Sequence, residues 1–252
     1  MKVTFKLLLA GALLLPAARL MAQDGPVIDE ASVMILPADP GAATLAPAAA
    51  DGSFSDSVGQ FKKIFNYAMK VYNFIVKNKP VVNIETDYSN AVPEGATHWT
   101  QLTGWQGPES KLYTFKAKNI GGLPAVTATY KVHYVWGGSF KGAGKYLTGV
   151  TIEPVSVTTA WATKLDVVVE VPDESVVNAG TDEAPVARMD VHLKWHIKTF
   201  TQDLKQEAVY RVRGDGKLEE IGALFERGRT ELKLEAAERA VNGAVSGWEV
   251  LK

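Results

Sequence analysis

The chain has no cysteine among its 252 residues. This absence excludes disulfide bonds, zinc sites built on thiolates, cysteine nucleophiles and lipid attachment through an N-terminal cysteine. A domain of this size without disulfides has to be held together by its hydrophobic core alone.

The chain also lacks an excess of charge of either sign and a long apolar run. It has 27 basic and 28 acidic residues, and no stretch beyond the N-terminus has the roughly 18 consecutive apolar residues of a membrane span. We therefore expect no nucleic-acid partner, because this balance gives no general attraction to phosphate backbones.

The first 22 residues have the composition of a secretory signal peptide. Lys2 and Lys6 precede the apolar run Leu7–Leu15, and Ala22 is a small residue at the expected cleavage site. Removing this segment changes the formal charge from −1 to −4, because it contains three of the basic residues and no acid. We expect export to the bacterial periplasm or the medium, the bacterial source being inferred from the style of the signal.

Residues 23–54 are rich in alanine, proline, aspartate and glycine, which is typical of a poorly ordered linker. Within this segment Val33–Leu36 is a short apolar run that suits an edge strand.

A long amphipathic helix is predicted at residues 57–78. Ser57 and Gln60 fit a capping box, and apolar residues then recur every three or four positions. Aromatic residues beside lysines are typical of a helix that lies in a membrane interface, whereas the favoured alternative is that the apolar face packs on a sheet. The candidate membrane contacts on this helix are Phe61, Lys62, Lys63, Phe65, Lys70 and Tyr72.

Residues 55–252 are predicted to form one domain that is mainly β. We expect eight or nine strands in a curved antiparallel sheet or a β-sandwich, with the long helix packed on it and a short C-terminal helix at 230–242 that Gly243 ends. Strands are expected near 81–88, 98–102, 111–118, 155–161, 164–171, 186–200, 207–213 and 217–221, and in a hairpin at 125–152.

The hairpin at 125–152 organises this prediction. In its first strand the alternation places Tyr130, Tyr134 and Trp136 toward the core, and it places Thr129 and His133 toward solvent. Pro154 is expected to interrupt the second strand with a bulge or a bend. The three inward aromatic residues could alternatively line a cavity for an apolar ligand, together with Trp195.

Residues 186–200 alternate in the same way. Trp195 points inward, whereas His192 and His196 point outward and lie about 13 Å apart along a strand, which is too far for one metal ion. We therefore expect solvated histidines and no metal site.

No catalytic motif is evident. The glycine-rich segment 137–145 resembles a phosphate-binding loop only superficially, because the residue after Lys145 is Tyr146 and no helix follows. It is predicted to be a hairpin loop, whose tip residues Phe140 and Lys141 are candidate recognition contacts together with Trp105 of an earlier loop. We expect a protein that is not an enzyme and binds no cofactor.

Three functional hypotheses follow from these features. The first is an exported, non-catalytic binding or interaction protein of a bacterial cell envelope. The second is a membrane-active, pore-forming-like protein that acts through helix 57–77. The third is a carrier of an apolar ligand held between helix and sheet. The expected partners are accordingly an envelope protein, a membrane surface or an apolar ligand.

Overall fold

The computed structural model describes residues 26–38, 82–85, 88–93, 95–96 and 101–249. These residues form twelve strands in two sheets and one long helix at the C-terminal end. The strands are β1 (Met34–Pro37), β2 (Val82–Glu85), β3 (Tyr88–Ala91), β4 (Leu102–Thr103), β5 (Gln106–Lys118), β6 (Pro124–Phe140), β7 (Ala143–Thr159), β8 (Lys164–Glu170), β9 (Val177–Asn178), β10 (Ala187–Lys198), β11 (Asp203–Arg213) and β12 (Leu218–Ile221), and the helix is α1 (Ala223–Glu249).

The first sheet has the strand order β1-β5-β6-β7-β3, with β4 paired to β6. The second has the order β12-β11-β10-β8-β2, with β9 paired to β10. All these pairs are antiparallel except β2 with β8, which is parallel. The prediction of a mainly β fold with antiparallel sheets is therefore confirmed.

The core lies between the two sheets and follows from strict alternation along their strands. The inward residues of β10, from Met189 to Ile197, are all buried, as predicted. Phe115 of the first sheet stacks on Trp195 of the second with ring centroids 4.0 Å apart. Tyr130 and Tyr210, again from opposite sheets, share a hydrogen bond of 2.7 Å between their hydroxyls. Aromatic packing of this kind holds the sheets together without disulfides.

The hairpin of β6 and β7 is longer than predicted, and the pairing of its strands shifts register at four places. Each strand has 17 residues, and the turn between them is only Lys141–Gly142. The prediction of a hairpin loop over the whole segment 137–145 is therefore wrong. Gly137, Gly138 and Gly144 lie instead within the two paired strands. Pro154 remains inside β7, where the register shifts against β6 between Thr129 and Tyr130. This shift fits the predicted bulge or bend, whereas the prediction of a separate strand at 155–161 is wrong, because β7 continues to Thr159.

The outer face of the first sheet is only partly exposed to solvent. The prediction that its polar residues Thr129 and His133 point into solvent is therefore wrong. Thr129 and His133 are buried at 9% and 5% exposure, and Glu153 of β7 is buried at 4%. Because β6 is the central strand, its outward side chains lie among those of β5 and β7.

The C-terminal helix is longer than predicted at both ends. It begins at Ala223 rather than Thr230, and it continues through Gly243 to Glu249. Leu224 and Phe225 in its first turn are buried in the core. Gly243 misled the prediction of the C-terminal end, because glycine is typical of helix ends.

Gly228 of α1 is required by a close approach to β1. A Cβ atom at this position would lie within 1.9 Å of the Ile35 carbonyl oxygen. The neighbouring Arg227 donates hydrogen bonds of 3.0 Å to the carbonyls of Glu30 and Val33. The helix thus covers β1, which is an edge strand as predicted and lies in residues assigned to the linker.

Several predicted features lie outside the described residues. They are the signal peptide 1–22, the linker apart from residues 26–38, the helix 57–78 and most of the strand at 98–102. Among the helices of the described part, none combines the length and apolarity that a bilayer crossing requires.

We predict that Gly228→Ala destabilises the protein by about 1–3 kcal/mol, because the added methyl group pushes α1 away from β1. Helix propensity alone predicts the opposite, a gain of up to about 1 kcal/mol. Urea unfolding followed by circular dichroism measures the difference. Asn242→Ala, at an exposed position of the same helix, is the control and should be neutral or slightly stabilising. A stabilised Gly228→Ala variant would contradict the close packing.

Candidate functional site

Three turns meet at one end of the sandwich and carry large apolar side chains into solvent. They connect β5 to β6 (residues 119–123), β7 to β8 (160–163) and β10 to β11 (199–202). Their exposed side chains define a surface that we call the apolar tip, which consists of Ile120, Leu123, Trp161 and Phe200.

The two aromatic residues of the apolar tip are paired yet open to solvent. Trp161 is 69% exposed and Phe200 is 68% exposed, and their rings meet edge to face with centroids 6.1 Å apart. Single exposed apolar residues are common on proteins, whereas a cluster with two aromatic rings marks an interaction surface.

Pairing of the strands brings the turns together. The start of β8 and the end of β10 are directly opposite one another, at Lys164 and Lys198, which places Trp161 beside Phe200. The backbone amide of Ala160 donates a hydrogen bond of 2.7 Å to the carbonyl of Ala125, which joins the second turn to the start of β6.

The N-terminal segment ties the third turn to the first. Ile28 forms an isolated bridge with Asn119, and the amide of Ile120 donates to the Val27 carbonyl at 2.9 Å. The side chain of Gln202 brackets the Ile28 backbone, because it accepts from the Ile28 amide and donates to the Ile28 carbonyl at 3.0 Å.

Each turn is also closed internally. The Asn119 side chain accepts hydrogen bonds from the amides of Gly121 and Leu123 at 3.0 and 2.9 Å. Next to Trp161, Ala162 has a φ of 59°, in the left-handed region that residues other than glycine seldom adopt. Such strained residues persist where the surrounding structure holds them, often at functional sites.

The turns carry no charge, although 22% of the chain is charged. None of residues 119–123, 160–163 and 199–202 is Lys, Arg, Asp, Glu or His. Behind the turns, Lys118, Lys164 and Lys198 each stand at the end of a strand. These lysines are partly exposed and lie 3.3, 3.2 and 3.9 Å from the carboxylates of Glu231, Asp166 and Asp203, respectively. The rim of the apolar tip is therefore close to neutral.

Asp203, at the start of β11, is held as a carboxylate. A hydrogen bond from His196 holds the pKa of this carboxyl below its usual range, and the nearby lysines Lys198 and Lys205 act in the same direction. The lowered pKa favours the charged form of Asp203, which lies beside Lys198 at the tip rim.

The four aromatic residues predicted to contact a ligand lie elsewhere. Tyr130, Tyr134 and Trp195 are buried between the sheets, and Trp136 is half-buried against Gly216. Burial raises the pKa of Tyr134 to about 12 and raises the pKa of Tyr130 further, so both are neutral phenols. The gap beside Tyr130 and Trp195 is about 20 Å³ and apolar, which is room for roughly one water molecule.

The predicted recognition loop divides into two parts. Phe140 and Lys141 form the turn of the long hairpin, where the Lys141 ammonium lies 5.1 Å from the Phe140 ring centroid. Trp105 is half-buried and covers Gly138 so closely that a Cβ atom there would lie 2.4 Å from its ring. These residues are at the opposite end of β6 from the apolar tip. The candidate contacts on helix 57–77 lie outside the described residues.

The outward histidines of β10 pair with acids rather than with each other. His192 lies 2.7 Å from Glu207, and His196 pairs with Asp203. Within the described ranges, no group of three or more His, Asp or Glu side chains is arranged to hold a metal ion.

No protein-family model, no curated protein and no solved structure matches the chain. The apolar tip was missed by sequence reasoning because Trp161 and Phe200 are 39 positions apart and have no local pattern in common. The available signal was the composition of the turns, each of which places an apolar residue where turn chemistry favours a polar one.

We predict that Gln202→Ala lowers the free energy of unfolding by about 1–3 kcal/mol, because the Ile28 backbone loses both its side-chain partners. Thermal and urea unfolding measure the change. Thr201→Ala, at the exposed neighbouring position, is the matched control and should stay within about 0.5 kcal/mol of the parent. Equal stability of the two variants would show that Gln202 does not anchor the N-terminal segment.

Proposed function

We propose that the chain is an exported interaction module that binds the surface of a lipid bilayer by inserting its apolar tip into the interfacial region. The observation that carries the proposal is the exposed pair of Trp161 and Phe200 on uncharged turns. Export rests on the predicted signal peptide at residues 1–22.

The chemistry of the tip suits a bilayer interface. Tryptophan and phenylalanine favour the boundary between water and hydrocarbon, and the turns bring no charge that insertion would have to desolvate. Lys118, Lys164 and Lys198 stand one step further back, where each is paired with an acid of the same chain, so the rim adds almost no net charge at the depth of the lipid head groups.

A protein surface is the alternative partner, and the tip suits it less well. Stable protein interfaces bury about 800 Å² on each partner around a packed centre with a hydrogen-bonding rim. The tip offers four apolar side chains on three separate turns, and its rim lysines are already paired with acids of the same chain. A fluid interface accommodates such an uneven surface without a complementary shape.

The expected affinity is modest. Full burial of one large apolar side chain contributes about 1.5–3 kcal/mol, and four partly exposed ones would contribute on the order of 5 kcal/mol after the cost of association. This corresponds to a Kd near 0.2 mM, which is weak and reversible. A second membrane contact would be needed for permanent attachment.

The other two hypotheses stay predictions. Membrane entry through helix 57–77, and an apolar ligand between that helix and the sheet, both depend on residues outside the described ranges. Among the described residues, the gap beside Tyr130 and Trp195 has a volume of only about 20 Å³, which is too small for a ligand larger than water.

We predict that the full chain co-sediments with phosphatidylcholine vesicles at about 2 mM lipid, which is roughly ten times the expected Kd. Trp161→Ser combined with Phe200→Ser should weaken binding at least tenfold, because two aromatic side chains no longer enter the interface. Raising NaCl from about 0.1 to 0.5 M should change binding less than twofold, because the inserted surface is uncharged.

Two variants provide the controls. Leu234→Ser removes an exposed apolar residue from α1, 56% exposed and away from the tip, and should bind like the parent. Phe61→Asp combined with Phe65→Asp tests whether the predicted helix at residues 57–77 makes the lipid contact instead. Loss of binding in that variant alone would assign the lipid contact to residues 57–77. A parent chain that stays in the supernatant would refute bilayer docking and leave a protein surface as the partner of the tip.

A further inference from the structure

Three polar side chains converge on the outer face of the first sheet, one from each of three adjacent strands. Ser110 of β5 lies directly opposite His133 of β6, and His133 lies opposite Thr151 of β7. Glu153 follows Thr151 by two positions and therefore lies on the same face, one diagonal step from His133.

The three side chains form a continuous hydrogen-bonded relay. Ser110 Oγ lies 2.6 Å from Nδ1 of His133, and Nε2 of the same ring lies 2.7 Å from Oε2 of Glu153. A carboxylate only accepts hydrogen bonds, so Nε2 donates to Glu153. Nδ1 is then left with the lone pair that accepts the proton of the Ser110 hydroxyl.

The relay is buried at its Glu153 end and open to solvent at its Ser110 end. The side chains of His133 and Glu153 are only 6% and 4% exposed, whereas Ser110 is exposed. A buried pair of this kind contributes little to stability compared with apolar residues of the same volume. The arrangement places a shielded base behind an accessible hydroxyl, which is the requirement for an activated nucleophile.

We infer that Ser110 is a base-activated nucleophile that accepts acyl groups from small activated esters. His133 is the general base, and Glu153 is a positioning residue that fixes the tautomer and orientation of the imidazole. Sequence analysis gave the expectation of a protein that is not an enzyme, because the three residues are spread over 44 positions and match no local motif.

The reaction balances without any further cofactor. Ser110 Oγ attacks the ester carbonyl carbon while its proton moves to Nδ1 of His133. The carbon–oxygen bond to the alcohol then breaks, and the alcohol leaves with that proton. A water molecule next attacks the acyl carbon and gives its proton to Nδ1. That proton passes to Oγ as the acyl–serine bond breaks, and the carboxylic acid is released.

This site is independent of the apolar tip. Ser110 precedes Lys118 at the tip rim by eight residues of β5, which is roughly 26 Å along an extended strand. Loss of bilayer binding by the apolar tip therefore does not entail loss of the reactivity of Ser110, and the reverse also holds.

The test is covalent labelling of the full folded chain with an alkyl fluorophosphonate. Ser110 Oγ would attack phosphorus and displace fluoride, while His133 takes the hydroxyl proton. We expect one adduct per chain by intact mass spectrometry, located on Ser110 by peptide mapping. Ser110→Ala should abolish the adduct, and Glu153→Gln should slow its formation at least tenfold. Trp161→Ser combined with Phe200→Ser should leave the labelling rate unchanged.

Ser156 is the matched control, because it is an exposed serine on β7 at the same sheet face, opposite Thr129. Within a single sample of the parent chain, Ser110 should be labelled at least a hundredfold faster than Ser156, and urea should remove the difference. Melting curves establish that Glu153→Gln is folded. Labelling of Ser110 at the rate of Ser156 would overturn the inference, as would an unchanged rate in folded Glu153→Gln.

Discussion

The rest of the structure depends on the packing of two sheets that no disulfide joins, and the stacked rings of Phe115 and Trp195 are central to that packing. Tyr113, Tyr130 and Tyr210 extend the contact from both sides, and their hydroxyls are satisfied inside the core or by Glu220. Because aromatic rings bury large areas in fixed orientations, this layer sets how the strands of one sheet lie over those of the other. The positions of the turns at the sheet ends follow from that alignment.

Closure of the sheet edge depends on the same packing. α1 begins directly after β12 of the second sheet and lies against β1 of the first. Phe225 packs against Tyr113 and Tyr210 from opposite sheets, so the first turn of the helix belongs to the aromatic layer. Gly228 then allows the helix to approach the Ile35 backbone. An edge strand covered in this way is not available for pairing with another chain.

The sequence predicts which face of a strand is buried, because that pattern is periodic and local. It does not predict which residues of two different strands lie side by side, because the register of the strands determines that. Alternation correctly assigned the inward face of β10 from Met189 to Ile197. The same alternation placed His133 in solvent, because a single strand does not reveal that Ser110 and Glu153 flank it. The pairing of Trp161 with Phe200 depends on how β8 aligns with β10, which no local pattern encodes. Gly243 was interpreted as the end of the helix because glycine is typical of helix ends, whereas the helix continues through it to Glu249.

The form of the apolar tip matters for binding as much as its composition. Its side chains are mounted on turns that are closed by their own hydrogen bonds and fastened to Ile28, so docking orders little additional backbone. Association usually loses several kcal/mol to the ordering of loops, and a surface that is already fixed avoids most of that loss. The same rigidity explains why Ala162 can stay in a left-handed conformation, since two strands determine the path of the turn between them. A weak apolar contact of four residues is therefore sufficient for reversible binding only because the sandwich holds it in place before the surface is met.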